Sequence, residues 1–367
     1  MWRNTKVTQH LGIDVPIVLG PFGANLSSED LVVIVSEAGG LGIFGANALT
    51  PAQIIEVSAK LRSRTAKPFG LNLWIPTSDQ PLSEPVAFEK AAVHLRPFFD
   101  EFGLAIPAPP TRFSEAYDEQ IESLLEARPA VFSFVFGAPS PAVLAECRKR
   151  GIATIGTATS VPEAEHLDAA GVDMIVVTGF EAGGHRPSFL KPSEESLHGL
   201  LTLVPRTADR VGKPLIAAGG IADGRGIAAA LTLGASAVQI GTAFLACVES
   251  MIDPAYRAAL RGPQGEVTCL TRAFSGRLAR AIPNRFIWEM AGAAGDIAPY
   301  PVQSWLTNKL RNAARDRGCF DMQNWWAGQG APLLKHDRAA DLFLALVNET
   351  DALLARTNQY VLGGHIA

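Results

Sequence analysis

A histidine five positions beyond the end of an apolar run opens the chemistry of this chain. MIVVTGF (174–180) is followed by GFEAGGHRP (179–187), so His185 sits directly after Gly183 and Gly184. A neutral imidazole can accept a proton near pH 7, which suits a general base. The paired glycines carry no side chain to keep another molecule away. Glu181 lies in the same stretch, either fastening the loop through backbone N–H groups or facing solvent. A second cluster lies in PLIAAGGIADGRGIAAALTLGASAVQIGTAFLA (214–246), with Gly219-Gly220 and Gly241-Thr242 at two successive strand ends. Glycines let backbone N–H groups approach oxygen atoms, helix N-termini favour anions, and Thr242 adds a hydroxyl donor. Two such pairs in succession favour phosphate binding over tight turns alone. Asn72, in FGLNLW, is an amide inside an apolar strand, which costs free energy unless paired. It bonds neighbouring backbone or reads the polar edge of a flavin or base.

Other chemistries find little support. GLGIFG (40–45) matches G-x-G-x-x-G, but a helical pattern precedes it and a strand follows, the reverse of a dinucleotide fingerprint. A helix end and tight turn explain it better. No G-x-S-x-G or H-E-x-x-H element occurs, and no His/Asp cluster has metal spacing. A net charge of −4 without a basic stripe argues against a nucleic-acid partner. Cys147, Cys247, Cys269 and Cys319 form no Cys-x-x-Cys pair, so free thiols in a reducing cytoplasm are expected. The N-terminal MWRNTKVTQHLGIDVP has no apolar signal core, and no run approaches the ~20 apolar residues of a membrane span. A soluble cytoplasmic protein is the expectation.

The elements that must position these residues follow a β-then-α rhythm. PIVLG (16–20), LGIFGA (41–46), FGLNLW (69–74), VFSFVFG (131–137), IATIGTA (152–158), MIVVTGF (174–180), PLIAAGG (214–220) and AVQIGTAFL (237–245) read as eight strands. Their continuous apolar character fits parallel strands covered on both faces. Helical segments between them include 28–39, 50–63, 161–171 and 223–235, with Ser28, Thr50 and Asp223 as caps. Eight such units over about 250 residues suit a (β/α)8 TIM barrel better than a doubly wound open sheet. His185 and both glycine pairs then lie at the C-terminal face. The expected organisation is a barrel over 1–262 with an insertion at about 78–120, a small C-terminal subdomain over 263–335, and a closing helix over 336–367. Helix-like stretches at 301–316 and 337–357 belong to the last two.

GFEAGGH, LIAAGGIADGRG, QIGTAFL, TRAFSGRLAR (271–280) and WWAGQG (325–330) together resemble the nitronate monooxygenases, formerly called 2-nitropropane dioxygenases. The middle motifs are shared in part with FMN-dependent enoyl-acyl-carrier-protein reductases. TRAFSGRLAR and AGQG tilt the resemblance toward the former. The resemblance implies an FMN-binding barrel with His185 in the active site and phosphate on Gly219, Gly220, Gly241 and Thr242. It implies that Gly20, Pro21 and Phe22 lie along the isoalloxazine and that Asn72 touches the ring. Gly183 and Gly184 would pass close to the cofactor, Glu181 would belong to the same loop, and Gln329 would approach from the C-terminal segment. The chain departs from the family where LGPF replaces a first-strand end like Q-A-P-M, where Val135 stands for a frequent histidine, and where Pro187 follows GGHR.

The implied activity is oxidation of small alkyl nitronates, or of nitroalkanes, by dioxygen. His185 would act as base or as a donor of hydrogen bond or charge to the nitro oxygens. Two other readings stay open: an FMN-dependent NAD(P)H reductase of enoyl thioesters or alkenes, and a non-catalytic FMN-binding accessory protein. The expected partners are a small-molecule substrate and dioxygen, with a homodimer as one arrangement of the chain.

Overall fold

The computed structural model describes residues 2–23, 26–76 and 85–363. Residues 78–84 of the expected insertion and 364–367 of the expected closing helix lie outside them. In chain order the strands are β1 (Ile17–Leu19), β2 (Gly42–Gly45), β3 (Phe69–Trp74), β4 (Val131–Val135), β5 (Ala153–Ala158), β6 (Met174–Thr178), β7 (Gly184–His185), β8 (Leu215–Ala218), β9 (Ala237–Ile240), β10 (Cys269–Thr271) and β11 (Ala279–Ala281). Eight of them form one parallel sheet in the order β1-β9-β8-β6-β5-β4-β3-β2. The sheet closes on itself through a parallel bridge between Val18 and Leu41. Leu19 N–H donates to Leu41 O (2.9 Å) and Leu41 N–H to Ile17 O (3.0 Å) across this seam. The result is the expected TIM barrel, with its strands within the eight segments read from the sequence.

Period-2 alternation sorts the apolar side chains into two layers. Val18, Ile43, Val131, Ile155, Met174, Val176, Ile216 and Ala237 share an inner cluster. Ile17, Leu19, Phe44, Ile175, Val177, Leu215 and Val238 face outward into the layer covered by helices. Both faces are dry, which is why the runs look uniformly apolar. Val7, Leu11 and Ile13, in and just after the helix Lys6–Leu11, join the inner cluster at one barrel end. The three expected caps hold their helices: Ser28 Oγ accepts from Leu31 N–H, Thr50 from Gln53 N–H, and Asp223 from Arg225 and Gly226 N–H. In GLGIFG the glycines serve close packing; a Cβ on Gly42 would meet Val32 O at 2.3 Å, and one on Gly45 would meet Phe22 O at 2.2 Å.

A second apolar core stands apart from the barrel. Helix Pro85–Glu101 contributes Phe88, Leu95, Phe98 and Phe99. The C-terminal segment contributes Phe274, Phe286, Met290 and, from helix Val302–Asp316, Leu306 and Leu310. The segment after β3 and the C-terminal segment therefore share one apolar core. Helix Ala339–Gly363 returns to the barrel and packs on the helices Gly224–Thr232 and Glu29–Glu37. Among the described residues no helix is long and apolar enough to cross a membrane.

Candidate active site

Along five barrel strands the inward-facing position changes from apolar or small to polar two residues further on. Gly70 gives way to Asn72, Val131 to Ser133, Ile155 to Thr157, Val176 to Thr178, and Ala237 to Gln239. All five polar residues line a cavity of about 930 Å³ at the C-terminal end of the strands. Asn72 settles its own polarity: its Nδ2 donates to Ser133 Oγ at 3.0 Å on the neighbouring strand. Gln239 Oε1 is buried with no hydrogen-bond partner among the described residues, and so is Asn47 Oδ1 on the same cavity wall.

The cavity brings together Gly20, Pro21, Phe22, Asn72, Gly183, Gly184, His185, Gly219, Gly220, Gly241 and Thr242. The three departures from the family pattern, Phe22, Val135 and Pro187, line it too. Gly219 and Gly220 have φ of 117° and 70°, the left-handed region that glycine tolerates. A Cβ on Gly20 would stand 3.1 Å from Gly241 Cα. Glu181 and Gln329 stand outside the lining. The Glu181 carboxylate accepts from Leu200 N–H (2.8 Å), supplying the cap that Gly199 cannot give to helix Leu200–Ala208. Gln329 is exposed, and its backbone N–H donates to Glu181 O at 2.9 Å. Both fasten the backbone around the cavity.

The stretch carrying His185 is a strand rather than a loose loop. β7 pairs antiparallel with β11, setting Ala279 opposite His185 and Arg280 opposite Gly184. Gly183 packs so tightly on the C-terminal segment that a Cβ would meet Gly328 N at 2.5 Å and Ala327 C at 2.6 Å. Gly328 N–H in turn donates to Thr242 Oγ1 (3.0 Å), which leaves the threonine proton available to a ligand. Gly183→Ala is expected to destabilise the fold by about 1–3 kcal/mol; the urea unfolding midpoint reads it.

Arg186, 4 % exposed, ties the following residues down. Its guanidinium donates to Thr178 O (2.6 Å), Thr159 O (3.1 Å) and Ser196 O (3.2 Å). Fully buried Glu163 completes the clamp, accepting from Thr159 N–H and hydroxyl (2.7 and 2.6 Å) and from Phe189 and Leu190 N–H (2.6 and 3.2 Å).

The His185 ring lies between Trp74 (centroids 5.0 Å, 74°) and Trp326 (5.3 Å, 53°). Its Nε2 is 2.8 Å from Ser275 Oγ. That hydroxyl also donates to Arg277 O at 3.2 Å. Burial, reinforced by the guanidiniums of Arg277 and Arg311, pushes the His185 pKa down to about 3. The imidazole is thus neutral at physiological pH, so positive charge at this wall belongs to the arginines. Arg277 lies over Phe136 (3.9 Å) and Tyr300 (4.5 Å). Phe136, just after β4, has φ of 69°, a strained value for a bulky residue beside an active site.

Sequence reading assigned no role to Ser275, Arg277, Trp326 or Arg311. The first three lie within the TRAFSGRLAR and WWAGQG motifs, where polar and aromatic residues among small ones were the available signal. Arg311 carried none beyond the period of its helix.

Comparison with known proteins agrees with this architecture. The nitronate monooxygenase family model matches residues 4–349. A probable nitronate monooxygenase of Staphylococcus aureus is 37 % identical over 355 residues, covering 96 % of this chain and 99 % of the relative. The solved nitroalkane oxidase from Streptomyces ansochromogenes superposes with a TM-score of 0.88 at 36 % identity, covering 96 % of this chain and 99 % of that one. FabK from Thermotoga maritima superposes with a TM-score of 0.75 at 27 % identity, over 97 % and 99 %. A match this long, at this identity and on this fold, places the chain in the nitronate monooxygenase family of oxidoreductase enzymes.

Proposed function

We propose that this enzyme binds FMN and oxidises small alkyl nitronates, and their parent nitroalkanes, with dioxygen. The observation that carries the reading is His185: a neutral imidazole on the cavity wall, held by Ser275 between two indoles. The cavity fits a flavin nucleotide. The left-handed glycines Gly219 and Gly220, with Gly241 and Thr242, would hold its phosphate. Gly20, Pro21 and Phe22 would flank the ring, while Asn72 and the unpartnered Gln239 Oε1 offer polar contacts to its edge. Bound FMN would take electrons from the substrate and pass them to dioxygen.

For a neutral nitroalkane, the His185 imidazole removes the α-proton. For a nitronate no base is needed, and His185 orients the nitro group. Trp74, Trp326 and Tyr300 give the substrate end an aromatic wall that limits water. Four free cysteines, two of them buried, fit a reducing cytoplasm.

The test uses purified protein reconstituted with FMN. A flavin absorbance spectrum and oxygen consumption with ethyl nitronate and nitroethane are expected, with slow anaerobic bleaching by NADH or NADPH. Protein that takes up no FMN would sink the reading. Fast bleaching by a reduced nicotinamide without nitronate turnover would replace it by an alkene or enoyl-thioester reductase, the activity that the likeness to FabK favours.

A further inference from the structure

The helix Val302–Asp316 has two faces. Val302, Leu306, Leu310 and Ala314 are buried in the second core. Ser304, Asn308, Arg311, Asn312 and Arg315, at spacings of three and four, line the cavity. Packing of the apolar face therefore dictates that the polar face looks toward the substrate end. Arg311 is the half-buried cation of that face. Its terminal nitrogens donate to Asn324 Oδ1 (2.9 Å) and to Ser304 O (3.3 Å), both neutral acceptors. Its Nε is buried with no hydrogen-bond partner. Its two terminal nitrogens carry four N–H donors, and two of these are spent on the neutral acceptors. Among the described residues Arg311 forms no ion pair. Two carboxylates, Glu115 and Asp253, line the same cavity, and Asp253 is engaged in capping the helix Pro254–Arg261.

A charged group enclosed this way and matched only by neutral acceptors is costly unless an anion completes it. His185 cannot be that anion, since it is neutral or cationic in every state. We propose that Arg311 is the group that receives the substrate's negative charge, and that it makes the site prefer the ionised nitronate over the neutral nitroalkane. The inference rests on the nitronate reading and sharpens it. The two relatives compared above are named for opposite ionisation states, one for a nitronate and one for a nitroalkane, and Arg311 is the residue in this chain that decides between them. The planar fork of a guanidinium matches the planar O–N–O edge of a nitronate, as it matches a carboxylate. Arg277, behind Phe136 and Tyr300 and off the cavity lining, adds field rather than contact.

The experiment uses FMN-loaded wild type, R311M and R311K. Nitrate, a planar and unreactive oxyanion, is titrated into each and its affinity read by calorimetry and by inhibition of turnover. R311M is expected to weaken nitrate binding by roughly 10–100-fold, the size of lost hydrogen bonds to a charged group. The KM for ethyl nitronate should rise by a similar factor relative to that for nitroethane. R311K should recover part of both effects, since it restores charge without the fork. Unchanged nitrate affinity and an unchanged ratio of the two KM values in R311M would overturn the proposal and leave the nitronate reading standing. Nitrate binding that depends on Arg311 in an enzyme that turns over neither compound would uphold the anion assignment and remove the nitronate reading. Should R311M fail to fold, R311K with the same nitrate titration decides: affinity and KM ratio equal to wild type would count against a role for the guanidinium fork.

Discussion

His185→Asn is expected to lower nitroethane turnover by about 10²-fold, the low end of what a positioned general base contributes, because the burial that holds its pKa near 3 also makes it a weak base. With ethyl nitronate the loss should be much smaller, because that substrate arrives already deprotonated. The contrast between the two substrates is the diagnostic, read by steady-state oxygen consumption. Equal rates for wild type and variant on both substrates would remove His185 from the chemistry. The pH profile carries a second signature. With its pKa near 3 rather than the ordinary 6.5, the base stays unprotonated through mildly acidic conditions. Turnover of nitroethane should therefore show no acid limb near pH 6.5. Stability follows the same displacement. Between about pH 3 and 6.5 the unfolded chain binds a proton that the folded chain refuses, so stability rises with pH across this window. The contribution is complete above 6.5 and is lost progressively as pH falls toward 3. His185→Asn should abolish that share of the acid sensitivity.

Glu163→Ala is expected to do the greatest structural damage of any single change near the site. The carboxylate is fully buried and satisfies four donors, three of them backbone N–H groups. Each buried donor left without a partner costs about 1–3 kcal/mol. Some will rearrange, so a total near 3–5 kcal/mol is expected from chemical denaturation. The damage should reach His185, because Phe189 and Leu190 anchor the far end of the segment that Arg186 and Pro187 begin. Glu163→Gln keeps one acceptor oxygen and should recover part of the stability. A Glu163→Ala variant as stable as wild type would mean that water replaces the carboxylate, and that the clamp on the His185 segment lies in Arg186 alone.

The barrel was legible because parallel strands covered on both faces leave uninterrupted apolar runs, and because Ser28, Thr50 and Asp223 announce the helices that follow. His185 and the glycine pairs were legible because they sit at strand ends, where a barrel does chemistry. Their surroundings were less so. The polar ring of Ser133, Thr157, Thr178 and Gln239 differs from ordinary strand residues only by an inward position that closure of the barrel creates. Glu163 stands in the first turn of its helix, as Glu29 and Asp118 do in theirs, so its type and place alone do not single it out. The strand character of Gly184-His185 depends on Ala279 and Arg280, almost a hundred residues later, so no local pattern could express it. The second core joins segments about 200 residues apart for the same reason.

That second core also sets a timetable for the newborn chain. The helix Pro85–Glu101 leaves the ribosome about 200 residues before its partner helix Val302–Asp316. At ~5–20 residues per second, Phe88, Leu95, Phe98 and Phe99 wait roughly 10–40 s for the residues that cover them. Through that interval the nascent protein displays a greasy face suited to a holdase chaperone. All eight barrel strands are thus synthesised before the helix that completes the second core.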